Sequence, residues 1–177
     1  MKRTIIAGIA VLALSAVAWF AFRDSLFSQI PENWETYTSS TQGFSLRHDP
    51  TLTVVDDGQN GVRLYKWGPT QKGETELYDG ILLSVRKVAT PQGGEAYLTD
   101  QIQQMTQHGT ITASLSKDRL NGLSVQRMEF SGLGDYTFIF VPVGDSHLIE
   151  IAFIVPDPTM AGFRNTVDLM LSTFKLQ

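Results

Sequence analysis

The 177-residue chain contains no cysteine. That excludes a disulfide scaffold, a thiol nucleophile, a thiolate zinc site and a bacterial lipoprotein anchor, which needs a lipidated cysteine. Positive charge is also scarce, with 14 Lys and Arg against 18 Asp and Glu, a formal charge of −4. A broad phosphate-binding surface needs clustered Lys and Arg, so no nucleic-acid partner is expected. The chain has no internal repeat and no low-complexity tract. Its three histidines, His48, His108 and His147, lack the close spacing of a His-x-x-x-His metal motif.

What is present begins with an uncharged run. Met1-Lys2-Arg3 precedes nineteen residues, Thr4 to Phe22, with no charge among them, and Arg23-Asp24 closes the stretch. At about 1.5 Å per residue a helix of this length is roughly 28 Å long, close to the ~30 Å hydrocarbon core of a bilayer. Lys2 and Arg3 lie before the run, while Arg23 and Asp24 cancel after it. The asymmetry predicts a cytoplasmic N-terminus and an outside-facing C-terminal domain. The alternative is a cleaved secretory signal with Ala16-Val17-Ala18 as the small-residue site, followed by secretion. Trp19-Phe20-Ala21-Phe22 prolongs the apolar stretch past that site and favours a retained single-pass anchor in the cell membrane. The expected organisation is therefore an anchor or signal peptide at 1–23, a connector at 24–33 and a globular domain at 34–177. From Pro31 onward eleven basic and seventeen acidic residues give −6.

Most of the domain alternates with a two-residue period, which predicts strands. They are expected over Trp34–Thr38, Phe44–His48, Leu52–Val55, Val62–Trp67, Gly80–Val88, Thr110–Ser116, Leu123–Ser131, Tyr136–Val143 and His147–Val155. Asn121-Gly122 is the strongest hairpin signal, since a type I′ turn needs positive φ at both central positions. Links this short force antiparallel neighbours. A helical period appears twice. Leu98, Ile102 and Met105 share one face of Glu95–His108, with Gly109 as a left-handed stop; Phe163, Val167, Met170, Leu171 and Phe174 share one face of Thr159–Phe174. Asp157 is the expected cap of the second helix, with Pro158 at its first position. The strands around Phe138–Val141 and Leu148–Ile154 are apolar on both faces and must be covered on both. The predicted fold class is α+β, a mainly antiparallel β-sheet with helices on both faces.

Two motifs carry a likeness. One is Tyr37 followed by Gly43-Phe44-Ser45-Leu46-Arg47-His48-Asp49-Pro50; the other is the closing Leu171-Ser172-Thr173-Phe174-Lys175. With the element order between them, residues 34–177 resemble the PsbP-like domains, the α/β/α sandwich shared by PsbP, the Ran-binding factor Mog and the bacterial protein DcrB. The resemblance implies a binding or assembly module that docks to a protein partner, and it carries no binding residue over. The family's first hairpin usually ends in Tyr-Pro, where this chain has His48-Asp49-Pro50.

The chemistry-bearing residues give little sign of catalysis. Glu150 is an acid on an otherwise apolar strand and needs a partner, for which Arg127 and Lys117 are the sequence candidates. Asp56 to Gly61 has calcium-loop composition without the twelve-residue spacing, so it reads as a turn. Gly132-Leu133-Gly134 is too short for a dinucleotide fingerprint, and no serine sits in a Gly-x-Ser-x-Gly elbow. No enzyme activity, metal or cofactor is expected. The aromatic residues Tyr65, Trp67 and Tyr78 bracket a long loop and are the candidate binding residues, since such side chains commonly anchor interfaces. The leading expectation is a non-catalytic protein-binding module tethered to the lipid bilayer through residues 4–22. The alternatives are a carrier of a small apolar ligand or lipid, and an unrecognised hydrolase or metal-dependent enzyme.

Overall fold

Residues 30–73 and 76–177 are described by the computed structural model. The expected membrane segment, 4–22, lies outside the described residues; among the described residues no helix is long and apolar enough to cross a membrane. The elements follow in the order β1 (Glu35–Ser39), β2 (Phe44–His48), β3 (Thr53–Asp56), β4 (Val62–Trp67), β5 (Gly80–Ala89), α1 (Gly94–Met105), β6 (Thr110–Leu120), β7 (Leu123–Ser131), β8 (Asp135–Val143), β9 (His147–Ile154), α2 (Phe163–Ser172) and β10 (Lys175–Leu176). A 3-10 turn, Gly58–Asn60, sits in the link read as a turn from its composition. Asn121 and Gly122 take φ 46° and 83°, both left-handed as the type I′ geometry demands.

Seven strands form the main sheet in the order β3-β4-β5-β9-β8-β7-β6, every neighbour antiparallel. After β5 the chain runs through α1 to the far edge, then returns one strand at a time until β9 pairs with β5. The far-edge strand β6 pairs with β7 through two register shifts, between Ile111 and Ala113 and between Ala113 and Ser116.

The opening hairpin departs from the single-sheet expectation. β1 and β2 stand apart from the main sheet and form a three-stranded sheet with β10, in the order β1-β2-β10. The reason lies in β2, whose Phe44, Leu46 and His48 are all buried on one face. Phe44 stacks on Phe174 at 5.7 Å, so the hairpin shares a core with the end of α2. Gln42, in the turn between β1 and β2, fixes this lid to the main sheet. Its amide donates to the carbonyls of Gly58 and Gln59 at 3.0 Å each and accepts from the Lys87 backbone N–H.

Strand register divides the main sheet into two faces. One carries Leu64, Leu83, Val85, Ile149, Ile151 and Phe153, all buried; it is covered by α2, which presents Phe163, Val167, Met170 and Leu171, and by the small sheet. Burying a side chain such as Val167 or Leu171 contributes about 1.5–3 kcal/mol before entropy is deducted. On the opposite face α1 places Leu98 against Met128, Phe140 and Leu148, with Val88, Tyr97, Ile102 and Met105 packed around them. Phe138 borders this cluster, and beyond the helix Tyr65, Leu82, Tyr136 and Ala152 of that face are only half-buried. The expectation of helices on both faces therefore needs refining: one cover is a helix with a sheet, and the other is a single helix.

Both helices are shorter than their sequence period suggested. α1 ends at Met105, and Gly109 is not the left-handed stop. A Cβ there would lie 2.3 Å from the Ser131 carbonyl oxygen and 2.4 Å from the Phe130 ring, so close approach is what requires glycine. α2 begins at Phe163 behind Gly162, not at Pro158. Asp157 still serves its start, as its carboxylate accepts from the backbone N–H groups of Ala161, Gly162 and Phe163 at 2.6, 2.8 and 3.0 Å.

Candidate functional site

The loop from Gly68 to Asp79 follows β4 and is held by two of its own polar side chains. Gln71 accepts from the backbone N–H groups of Tyr78 and Asp79 at 2.8 and 3.0 Å, and its amide donates to the carbonyls of Gly73 and Glu76 at 3.0 and 2.7 Å. Asp79, fully buried, takes Thr70 N–H and hydroxyl on Oδ2 at 2.9 and 2.8 Å. Its Oδ1 has no partner among the described residues. Gly68 must be glycine here, because a Cβ would lie 2.2 Å from the Asp79 carboxyl. Gly68 and Gly80 close the base through Gly68 N–H to Asp79 O and Gly80 N–H to Pro156 O, at 2.8 and 2.9 Å.

This frame presents the candidate binding residues. Tyr65 and Trp67, two apart on β4, share the sheet face that α1 leaves half-covered, and their rings lie 5.2 Å apart at 49°. Across that face Tyr136, Phe138 and Phe140 stack down β8 with centroids 6.1 and 6.3 Å apart. Trp67 is 42% exposed and Tyr78 58%. The Tyr78 hydroxyl donates to the Glu76 carboxylate, and that hydrogen bond, together with the carboxylate's charge, pushes the phenol pKa up. Trp67 and Tyr78 thus stand at the two ends of one braced loop, and Tyr65 lies behind Trp67. The sequence marks the three aromatics; Gln71 and Asp79, which hold the loop, are missed, because neither type in a polar loop announces which backbone groups it will reach.

Glu150 is buried as expected, but its partners are not the sequence candidates. Strand pairing sets Arg86 directly opposite, and the guanidinium reaches Glu150 Oε1 at 2.8 and 2.9 Å. Tyr97 of α1 donates its hydroxyl to Oε2 at 2.8 Å. Arg127 bonds Glu129 instead, at 3.3 Å. Burial and the neighbouring carboxylate raise the Tyr97 pKa well above the ordinary phenol range, so the hydroxyl stays a donor. The three groups clamp α1 to the sheet; nothing in the arrangement activates a nucleophile.

The histidines stay apart. His48 is buried with Nδ1 against the Asp49 carbonyl, His147 meets Ser146 at 3.0 Å, and His108 is exposed beyond the end of α1. No group of three or more metal-ligating side chains occurs among the described residues. A cavity of about 280 Å³ opens between the start of α1 and the β8–β9 turn, with Leu98, Phe140, Pro142 and Leu148 on its apolar side and Thr90, Gln126 and His147 on its polar one.

No family model matches the chain, and no curated protein sequence does. Among solved structures, the cyanobacterial PsbP (CyanoP) of Synechocystis sp. PCC 6803 aligns over 85% of this chain and 98% of its own at a TM-score of 0.52, with 10% identity. LpqN of Mycobacterium tuberculosis, a protein involved in cell envelope biogenesis, aligns over 82% of this chain and 92% of its own at 0.52 and 10% identity. A protein of Bacteroides thetaiotaomicron shares 16% identity over 81% of this chain at a TM-score of 0.44, and the chain spans 48% of that protein. At such identities the likeness to CyanoP and LpqN speaks to architecture, and it agrees with the element order on which the sequence resemblance rests: the domain has a PsbP-like fold.

Proposed function

We propose that the chain is a membrane-tethered, outside-facing docking domain that works without catalysis, binding a protein partner through the half-covered face around Tyr65, Trp67 and Tyr78. The observation that carries this reading is the braced loop beside an aromatic sheet face. A loop fixed by Gln71 and Asp79 holds its exposed rings in place before a partner arrives, so little ordering entropy opposes binding. Large rigid aromatics with few rotatable bonds suit that task. The tether is supported by the uncharged run at 4–22 with Lys2 and Arg3 before it. LpqN, which shares the fold, is itself described as involved in cell envelope biogenesis, which agrees with a role outside the cytoplasm.

Trp67→Ala in the full chain tests the docking face. Cross-linking in intact membranes, read by mass spectrometry, is expected to lose the adduct to the partner of the parent chain, with circular dichroism and melting temperature unchanged. A full adduct yield from the folded variant overturns the reading. A second reading, carriage of a small apolar ligand, is favoured by the cavity beside α1, whose apolar side is formed by Leu98, Phe140 and Leu148. Native mass spectrometry of the purified chain separates the two, since a carrier brings a stoichiometric ligand with it.

A further inference from the structure

The large apolar side chains most exposed among the described residues are Trp67, Tyr78, Leu133 and Met160, at 42%, 58%, 90% and 89%. Strand register puts the first three at one end of the main sheet, and the link that carries Met160 leaves β9 at that end. Trp67 pairs with Gly80, Gly80 bonds Pro156, Ile154 pairs with Tyr136, and Asp135 pairs with Ser131 across the turn that holds Leu133. Met160 follows four residues after Pro156 in the link to α2. The first residues of the domain are at this end too. Glu35 pairs with His48, and the turn after His48 is tied to β4 by Lys66 donating to the Thr51 hydroxyl at 2.8 Å.

We propose that this end of the domain rests on a lipid bilayer surface, with Leu133 and Met160 inserted at headgroup level and Trp67 and Tyr78 at the border with the docking face. This rests on the membrane-tethered reading above and adds the direction in which the tethered domain faces. Single exposed apolar residues are ordinary on a protein surface, but four at one end, with the rest of the described surface poor in them, mark a contact. Trp and Tyr favour the membrane interface, where one side of the ring is apolar and the other wet. The tips are held outward by their own backbone. Met160 sits at φ 53°, a costly conformation for a long side chain, in a turn secured by the Asp157 carboxylate. Leu133 caps a turn closed by Gly132 N–H on the Gly134 carbonyl at 3.0 Å. Between Leu133 and Tyr78 lies a cleft of about 280 Å³, with Leu77, Ile154 and Pro156 in its wall.

Reach agrees with this orientation. The ten-residue connector, 24–33, spans at most about 36 Å when fully extended. That length lets this end, where the domain begins, reach the bilayer if residues 4–22 are embedded. Charge decides the kind of lipid. Glu76 and Asp135 line the cleft beside Tyr78 and Leu133, so anionic headgroups are not attracted. The contact is apolar, operates on zwitterionic lipid and is insensitive to salt.

The absence of cysteine makes the test direct. Leu133→Cys and Met160→Cys, and Ser124→Cys at the opposite end as the control, are each labelled with an environment-sensitive fluorophore in the full chain and reconstituted into phosphatidylcholine vesicles. The expected result is a blue-shifted emission at 133 and 160, quenched by doxyl lipids at a depth of about 5–10 Å, with the label at 124 in water. A chain that resists alkaline extraction while all three labels report water overturns the proposal and leaves the tether standing. Release of the chain by alkaline carbonate overturns the tether itself. Shielding at 133 and 160 without doxyl quenching means that protein covers this end, and it also overturns lipid contact.

Discussion

Glu150 shows how one residue read as a chemical oddity becomes a structural clamp. Its carboxylate is buried, whereas the Arg86 side chain opposite is 49% exposed. The pair is therefore asymmetric, because water can take over for Glu150 at the arginine but not the reverse. Arg86→Met is expected to cost about 3 kcal/mol in urea denaturation, since it strands a buried charge. Glu150→Gln keeps the volume and a hydrogen-bonding oxygen for Tyr97, and is expected to cost about 1 kcal/mol. Equal costs would mean that the pair is solvated. Tyr37 and Asp56, bonded at 2.7 Å, join the small sheet to β3. Burial and the Asp56 acceptor push the Tyr37 phenol from 10.0 up to about 12, and the same bond holds Asp56 below the ordinary 3.8. The phenol's contribution to stability is thus complete below pH about 10 and is lost as the pH rises through about 12; that of the carboxylate is present above about 3.8 and is lost as the pH falls below it. Tyr37→Phe is expected to flatten both limbs of a stability–pH curve, and an unchanged curve would exclude the coupling.

At the scale of elements, α2 is the more heavily buried of the two helices, with Phe163, Val167, Met170 and Leu171 on one face where α1 buries only Leu98. Val167→Asp would place an unpaired carboxylate where the side chain is fully buried. The cost exceeds ~4 kcal/mol, a large share of the ~5–15 kcal/mol that holds a domain of this kind together, so a steep fall in melting temperature or loss of the cooperative thermal transition is expected. An unaltered melting temperature would remove α2 from the core. The two helices and the long strands were legible because apolar periods of 3.6 and 2 recur over whole segments. Their ends were less so. Period alone extends α2 back to Thr159, but Asp157 catches three backbone N–H groups of the loop first and delays the helix to Phe163. β10 was invisible, since two residues carry no period and its pairing partner lies 130 residues away in β2.

The whole molecule depends on long-range pairings of that kind, and here the sequence is least informative. Nothing local in Glu35–His48 says that the hairpin leaves the main sheet; Phe44 finds its stacking partner, Phe174, at the other end of the domain sequence. The candidate site divides in the same way: Tyr65, Trp67 and Tyr78 are conspicuous by type, while the braces Gln71 and Asp79 and the partner Arg86 depend on which strands lie side by side. Residues Asn33–Gln177 form one compact unit with its own core. A chain beginning at Asn33 is therefore expected to melt within about 2 °C of full-length protein, the shift a few tenths of a kcal/mol would give in a domain of this size. A large loss of cooperativity would mean that the preceding residues complete the fold.

The two breaks in register along β6 reach beyond that strand. β6 is an open margin of the main sheet, eleven residues long, and Lys117, Asp118 and Arg119 crowd its second half. A neighbouring copy trying to extend the sheet by adding a strand would find backbone groups out of step at two places, and would have to strip water from three ions. Copies crowded side by side on a surface could then collide often without polymerising.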